Sequence, residues 1–198
     1  MPSPTEVPDS ELALAALAMA SSVEPAFLVN HSRRTFHLGA ELLTAAGRLF
    51  DAELLYVASM LHDIALGTEH DDGVTPFHFR GGGIAANAML DAGRSDREAA
   101  LIFDAIALHM DLATAEDERP EVAGVHLGAA ADVVGLRVEQ IPPEWLTSML
   151  AEQPRMDMKK AFAALIAEEA KKKPYSTAAG LVRELSFLAL IHRSPFDE

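Results

Sequence analysis

The segment from Leu54 to Leu66 reads LLYVASMLHDIAL and is apolar almost all round except at one His-Asp pair. A helix that is hydrophobic on every side lies at the centre of a protein rather than at its surface. A buried and unpaired carboxylate costs on the order of several kcal/mol, so Asp63 needs a cation. Adjacent helix positions differ by about 100°, which still lets His62 and Asp63 converge on one ion. The segment therefore predicts a central helix beside a metal site.

Helix signals also fill the rest of the 198-residue chain, and strand signals are almost absent. Ser95 and Glu98 have the spacing of a capping box, and Gly47 and Gly67 stand where helices should end. We predict loops over residues 68–80 and 111–123, a short helix near Trp145, and longer helices over residues 12–23, 25–46, 52–66, 82–92, 95–110, 125–136, 157–173 and 176–193.

No repeat or break in composition divides the chain. The prediction is therefore one all-α domain over residues 1–198, a single-domain helical bundle with a metal site between its central helices. Its core should span residues 25–137, with C-terminal helices over residues 157–193 packed on that core.

The composition excludes several classes of function. With 16 basic and 30 acidic residues the formal charge is −14, which disfavours nucleic acids and anionic membranes as partners. The chain has no cysteine, so disulfides, thiolate zinc sites, iron–sulfur clusters and cysteine nucleophiles are excluded. Any metal must bind to His, Asp and Glu. The expected partner is a small molecule, and a homo-oligomer is compatible with the sequence.

The stretch from Leu12 to Val23 is apolar and contains an Ala-x-Ala motif, as signal peptides do. Acidic residues precede it where a signal peptide needs positive charge, and it is shorter than the roughly 20 residues that cross a bilayer. We therefore expect a buried first helix, capped near Asp9 or Ser10, in a cytoplasmic protein.

Further metal-ligand candidates interrupt other apolar segments. His31, His109 and Asp132 are each a single polar residue in an apolar surrounding. Two imidazoles and two carboxylates form a ligand set that suits zinc, iron, manganese or cobalt.

The order His31, His62-Asp63, Asp132 resembles the HD-domain superfamily of metal-dependent hydrolases, over about residues 25–137. Within it, Asn30-His31-Ser32 with Arg34, the FHFRGG segment at 77–82 and the HMDL segment at 109–112 resemble the cyanamide hydratase group. That resemblance implies one divalent metal, most simply zinc, on His31, His62, Asp63 and Asp132. It places His109 near the open coordination position and implies addition of water to a nitrile. Two departures are His78, where that group is expected to have Glu, and Ala65, where HD proteins often have Gly.

The remaining polar residues have proposed roles with open alternatives. A bound metal lowers the pKa of water from about 15.7 toward ~7, and His109 is the candidate general acid, oriented by Asp111.

Arg34 shares the face of His31, where it holds an anionic substrate or a ligand carboxylate, or pairs with an acid on a neighbouring helix. His78 and Arg80, beside three glycines, form either a substrate-binding pocket wall or a plain loop. We expect His37 to be a packing or surface residue, His70 and His192 to be exposed, and His126 to lie off the face of Asp132 unless it forms a second metal site with His109.

Three functions remain open from the sequence. The first is a metal-dependent hydratase or hydrolase that acts on a small neutral molecule, with hydration of cyanamide to urea as its leading form. The second is an HD-type phosphohydrolase acting on a nucleotide or a small phosphate ester. No Lys follows the His-Asp pair and few basic residues lie near it, which weakens this alternative. The third is a non-catalytic metal-containing binding protein.

Overall fold

The computed structural model describes residues 6–198, and within that range the protein is built from ten α-helices. Their bounds are α1 Glu11–Val23, α2 Ala26–Ala45, α3 Ala52–Leu61, α4 Phe77–Asp91, α5 Asp96–Ala107, α6 Pro120–Val134, α7 Pro143–Glu152, α8 Met158–Lys172, α9 Thr177–Leu185 and α10 Phe187–Arg193. Two short 3-10 turns, Leu112–Glu116 and Val138–Gln140, follow α5 and α6. No strand occurs between residues 6 and 198, so the all-α prediction is confirmed.

Side-chain caps begin several of these helices, as their sequences predict. Ser10, Asp51 and Ser176 each accept a backbone N–H of the following turn. Ser95 and Glu98 form the complete capping box of α5. Each such cap stabilises its helix by about 1 kcal/mol.

Helices α2 and α6 cross with their backbones in contact. A Cβ on Gly39 would lie 2.3 Å from the Gly124 carbonyl oxygen, and one on Gly128 would lie 2.0 Å from the Thr35 carbonyl oxygen. Only glycine permits this approach. One helical turn away from this contact, the crossing brings His31 of α2 beside Asp132 of α6.

Helices α8, α9 and α10 cover one side of this helix pair, with α8 against α2 and α10 against α6. Their buried residues, including Phe162 and Ile191, join Leu28, Phe77 and Val133 in one apolar cluster. A larger cluster fills the space among the first seven helices, α1 to α7. No helix within the described residues is both long and apolar enough to cross a lipid bilayer.

Several predicted boundaries differ from those of the structure. The helix expected to reach Leu66 ends at Leu61, because the next N–H groups turn back three residues, from Leu66 to Asp63 at 2.7 Å. The expected helix over 176–193 is two helices, broken at Ser186, whose φ of 53° is left-handed. The predicted loop over 68–80 ends early, because α4 begins at Phe77.

Helix α6 also starts before its predicted position. It begins at Pro120, inside the expected loop over 111–123, and proline is well suited to the first turn of a helix. The 3-10 turn Leu112–Glu116 occupies part of the same expected loop.

Candidate metal centre

Three buried side chains converge at the end of α3. His31 comes from α2, and His62 and Asp63 come from the turn that follows Leu61. The two Nε2 atoms lie 3.1 Å apart, and Asp63 Oδ2 lies 3.5 Å from His31 Nε2 and 3.4 Å from His62 Nε2. Each of the three residues is at most 1 % exposed. We refer to His31, His62 and Asp63 as the ligand cluster.

Hydrogen bonds fix which nitrogen of each cluster histidine can bind a metal. His62 Nδ1 lies 2.7 Å from the Ser59 carbonyl oxygen, which can only accept, so Nδ1 carries the proton. His31 Nδ1 lies 2.7 Å from Asp132 Oδ2 and donates to that carboxylate. Both Nε2 atoms therefore present lone pairs to each other, which is unfavourable unless a cation lies between them.

The cluster fits a divalent metal ion. Both oxygens of Asp63 are buried and have no hydrogen-bond partner among the described residues. Ligand bonds of about 2.1 Å place donor atoms about 3.0 Å apart at octahedral angles and about 3.4 Å apart at tetrahedral angles. The observed separations of 3.1, 3.4 and 3.5 Å lie close to these values. The predicted residues His31, His62 and Asp63 therefore lie together in a geometry that fits a metal ion.

Asp132, the fourth ligand implied by the resemblance, does not face the cluster. Its carboxylate accepts from His31 Nδ1, and from Arg34 Nε at 2.8 Å and Nη2 at 2.9 Å. Arg155 Nη1 donates to the same carboxylate at 2.7 Å. Burial alone would raise the pKa of Asp132, but Arg34 and His31 hold it well below its usual value. Asp132 thus orients His31 from behind, as carboxylates do for many metal-binding histidines.

Arg34 was predicted to bind either a substrate or a carboxylate, and its position corresponds to the second role. It is fully buried, and its guanidinium also donates to the carbonyl oxygens of Gln153 and Pro154. With its donors paired in this way, Arg34 has no position for a substrate.

Arg155 is a further residue next to the site that the sequence does not predict. It is buried, donates to Asp132, and donates through Nε to Glu198 Oε1 at 3.2 Å. Its guanidinium also lies 4.6 Å from the centre of the Phe196 ring. An arginine in an irregular Gln-Pro-Arg-Met segment carries no local sequence signal for this role.

His109 lies beside the ligand cluster, with Nε2 3.9 Å from Asp63 Oδ1. Burial, then the neighbouring His62 and His78, hold its pKa well below the usual value. Its Nδ1 donates to the Ile106 carbonyl oxygen at 2.6 Å, so Nε2 is an acceptor. The predicted general acid must therefore first take a proton as a base.

Asp111 does not orient the imidazole of His109 as predicted. It is exposed, and its Oδ1 accepts from the backbone N–H of Ala113 at 3.0 Å. The Ile106 carbonyl provides the orienting hydrogen bond to His109 instead.

His78 and Arg80, predicted together as a pocket wall, lie in different places. His78 is buried, donates through Nδ1 to the Ala107 carbonyl oxygen at 2.6 Å, and has its ring centre 6.1 Å from that of His109. Its Nε2 has no partner within residues 6–198. Arg80 is exposed and contacts the His70 carbonyl oxygen and Asp72. It therefore lies away from the ligand cluster.

The other histidines mostly occupy the predicted positions. His37 packs against Phe36, and His192 is exposed, whereas His70 is only partly exposed. The alternative of a second metal on His109 and His126 finds no support, because the close group of three ligands found within residues 6–198 includes neither.

Glu24, the C-cap residue of α1, is a second residue that the sequence does not predict near the site. Both its carboxylate oxygens are buried without a hydrogen-bond partner among the described residues. Burial, and then the charge of Asp63, raise the pKa of Glu24 to about 9. The carboxyl is therefore neutral near pH 7 and adds no charge to the cluster.

A cavity of about 250 Å³ opens from the ligand cluster toward the C-terminal helices. Its polar lining is confined to the cluster, His109 and His126. None of the described side chains that line it is Lys or Arg. The rest of the lining is apolar and consists of Phe77, Met110, Leu112, Ala129, Ala130, Val133, Val134, Leu136, Phe162, Leu181, Leu185, Phe187 and Leu190.

This arrangement, a buried His/His-Asp cluster at the centre of a helical bundle, defines a metal-binding helical domain. The HD domain family model matches residues 28–190, and the chain belongs to that family. Two curated relatives are the cyanamide hydratases DDI2 and DDI3 of Saccharomyces cerevisiae, each 26 % identical over 184 residues. Each match covers 90 % of this chain and 81 % of the relative.

Proposed function

We propose that this protein is a zinc-dependent hydratase that adds water to the carbon–nitrogen triple bond of a small neutral molecule of the cyanamide type. The observation that carries the proposal is the ligand cluster, which opens beside the acceptor Nε2 of His109 into a cavity that no Lys or Arg among the described residues lines. The names of the two yeast relatives support the same reaction class.

The ligand residues of this chain would be His31, His62 and Asp63. A divalent ion held there would supply positive charge and lower the pKa of water in the site toward ~7. Asp132 holds His31 in the tautomer that presents Nε2, and the Ser59 carbonyl does the same for His62. These hydrogen bonds matter because an imidazole in another tautomer or orientation could not direct the lone pair of Nε2 toward the metal.

His109 carries the proton transfers in this proposal. Its Nε2 accepts a proton from the attacking water, and the protonated imidazole returns it to the nitrogen of the substrate. One carbon–oxygen bond forms and one carbon–nitrogen π bond breaks. Both hydrogens of the water finally reside on the product, which after tautomerisation is an amide, or urea in the case of cyanamide.

The electrostatics of the cavity disfavour a phosphate ester as substrate. Phosphate recognition relies on Arg, Lys or backbone N–H donors. Arg34 and Arg155 both donate to Asp132, and Arg80 lies outside the cavity, exposed near the start of α4. The pocket therefore offers a phosphate few cationic partners besides a bound metal.

The test is urea release from cyanamide by the zinc-loaded protein, with metal content measured by elemental analysis in the same preparation. His109→Gln should lower kcat by about 10²–10⁴-fold, the usual contribution of an acid–base residue, with its metal content unchanged. The matched control is His192→Gln, since His192 is exposed on the last helix. Fully metal-loaded protein that forms neither urea from cyanamide nor an amide from any nitrile, or that instead releases phosphate from nucleotides, would contradict the proposal.

A further inference from the structure

We infer that the molecule bound at this site carries an apolar alkyl or aryl substituent, which lies in the cavity between α6, α8, α9 and α10. The inference rests on the proposed function for the reacting group, and it names the substrate class as nitriles with an uncharged apolar substituent. Its hydration product is the corresponding primary carboxamide, formed by addition of one water.

The cavity has two chemically different ends. At one end lie the ligand cluster, His109 and His126. Away from them the lining is aliphatic and aromatic, with Val133, Leu181 and Phe187 among its side chains. A molecule with a polar reacting group and an apolar substituent matches both ends in one orientation.

The cavity is larger than cyanamide requires. A single water needs roughly 10–15 Å³ of such space, whereas the cavity measures about 250 Å³. Cyanamide has three non-hydrogen atoms and would leave most of the apolar lining without a partner. A substituent of several carbon atoms would bury that lining.

The apolar wall depends on the break between α9 and α10. Ser186 has φ 53° and ψ 41°, a left-handed conformation that is unfavourable for a non-glycine residue. The bend lets Leu185, Phe187 and Leu190, from both sides of the break, line the same cavity. Leu185 and Leu190 are 45 % and 41 % exposed, so a substituent would remove apolar surface from water.

The substituent should be uncharged. The apolar section of the lining contains no ionisable side chain among residues 6–198, so a charged group there would lose its hydration without a partner. The same reasoning excludes a carboxylate or ammonium at the far end of the substrate.

Binding of a homologous series of nitriles tests the inference. Acetonitrile, butyronitrile and hexanenitrile are titrated by calorimetry into the zinc-loaded and the metal-free protein. Each added methylene should tighten binding by about fourfold until the cavity is filled. An equal dissociation constant along the series would overturn the inference.

Two variants and a control locate the effect. Leu185→Ser should weaken hexanenitrile binding by about fourfold, the loss of roughly one methylene contact, and leave acetonitrile unaffected. The control is Leu90→Ser, because Leu90 is 44 % exposed on α4 and lies outside the cavity lining. Ala130→Leu should reduce the space in the cavity, because Ala130 lines it, so that the longest nitriles no longer bind. Equal effects of Leu185→Ser and Leu90→Ser would overturn the inference.

Amide formation is measured on the same samples to separate the two proposals. Urea release from cyanamide with no dependence of binding on chain length overturns the inference and leaves the hydratase proposal standing. Dependence of binding on chain length with no amide from any nitrile overturns the hydratase proposal and leaves the apolar pocket established.

Discussion

The crossing of α2 and α6 leads to a prediction about Gly128, which lies one turn before Asp132. In Gly128→Ala the new Cβ would lie 2.0 Å from the Thr35 carbonyl oxygen and 2.9 Å from the Gly39 nitrogen. Ordinary contacts of a Cβ begin at 3.4 Å. Both obstacles are backbone atoms, so no side chain can rotate away and the two helices must separate by on the order of 1 Å.

The cost follows from known effects of overpacking. Extra methyl groups in a packed core cost about 1–3 kcal/mol, and a clash between backbones belongs at the upper end of that range. For a chain of this length, 2–3 kcal/mol lowers Tm by about 5–10 °C. The 2.7 Å hydrogen bond between His31 and Asp132 should lengthen with the helix separation, and lost support of a ligand lowers metal affinity by about 10–100-fold.

Calorimetric unfolding and zinc titration against a chelator measure both effects. The control is Gly83→Ala, because no atom lies within 4 Å of a Cβ at Gly83 inside α4. Alanine there should stabilise the protein by about 1 kcal/mol through helix propensity and leave zinc affinity unchanged. The reasoning is refuted if Gly128→Ala keeps both the Tm and the zinc affinity of the parent protein.

Three further predictions concern the charges around the cluster. The pKa of Glu24 is raised from 4.5 to about 9, so in metal-free protein its contribution to stability is complete below pH 4.5 and is lost as the pH rises toward 9. In Glu24→Gln the free energy of unfolding, measured by urea denaturation, should depend less on pH over that range. An unchanged pH dependence would contradict the assignment. Asp132→Asn leaves Arg34 and Arg155 buried without their carboxylate and should cost about 3–5 kcal/mol in urea unfolding, whereas a loss under 1 kcal/mol would show that the pairing is unimportant. Removal of the metal should lower Tm by about 5–10 °C, because a ligand at 100 times its Kd contributes ~2.7 kcal/mol; a Tm indifferent to chelator would argue against a metal at Asp63.

The sequence predicts the helices and the centre of the site well, because their signals are local. Caps such as Ser95 with Glu98 act within one helical turn. The apolar residues on both sides of His62-Asp63 in the sequence already indicate that this pair is buried. Apolar periodicity continues through Ser186, so it gives no sign of the left-handed break there.

The orientation of Asp132 could not be predicted from its own segment. Whether a buried carboxylate faces an ion or an arginine depends on what the rest of the chain places around it. Here Arg34 comes from another helix and Arg155 from a distant irregular segment. The same dependence on remote contacts explains why Arg155 itself was missed.

The way the histidines are held has a consequence for how the chain tolerates sequence drift. His62, His78, His109 and His126 direct Nδ1 to backbone carbonyls, of Ser59, Ala107, Ile106 and His109 respectively. A carbonyl is present whatever side chain occupies its residue, so substitutions at these positions leave the tautomers intact as long as the backbone keeps its course. His31 alone in the ligand cluster depends on a side chain, that of Asp132. In a scan of all single substitutions, the supports of the metal site should therefore be most vulnerable at Asp132 and its two arginines.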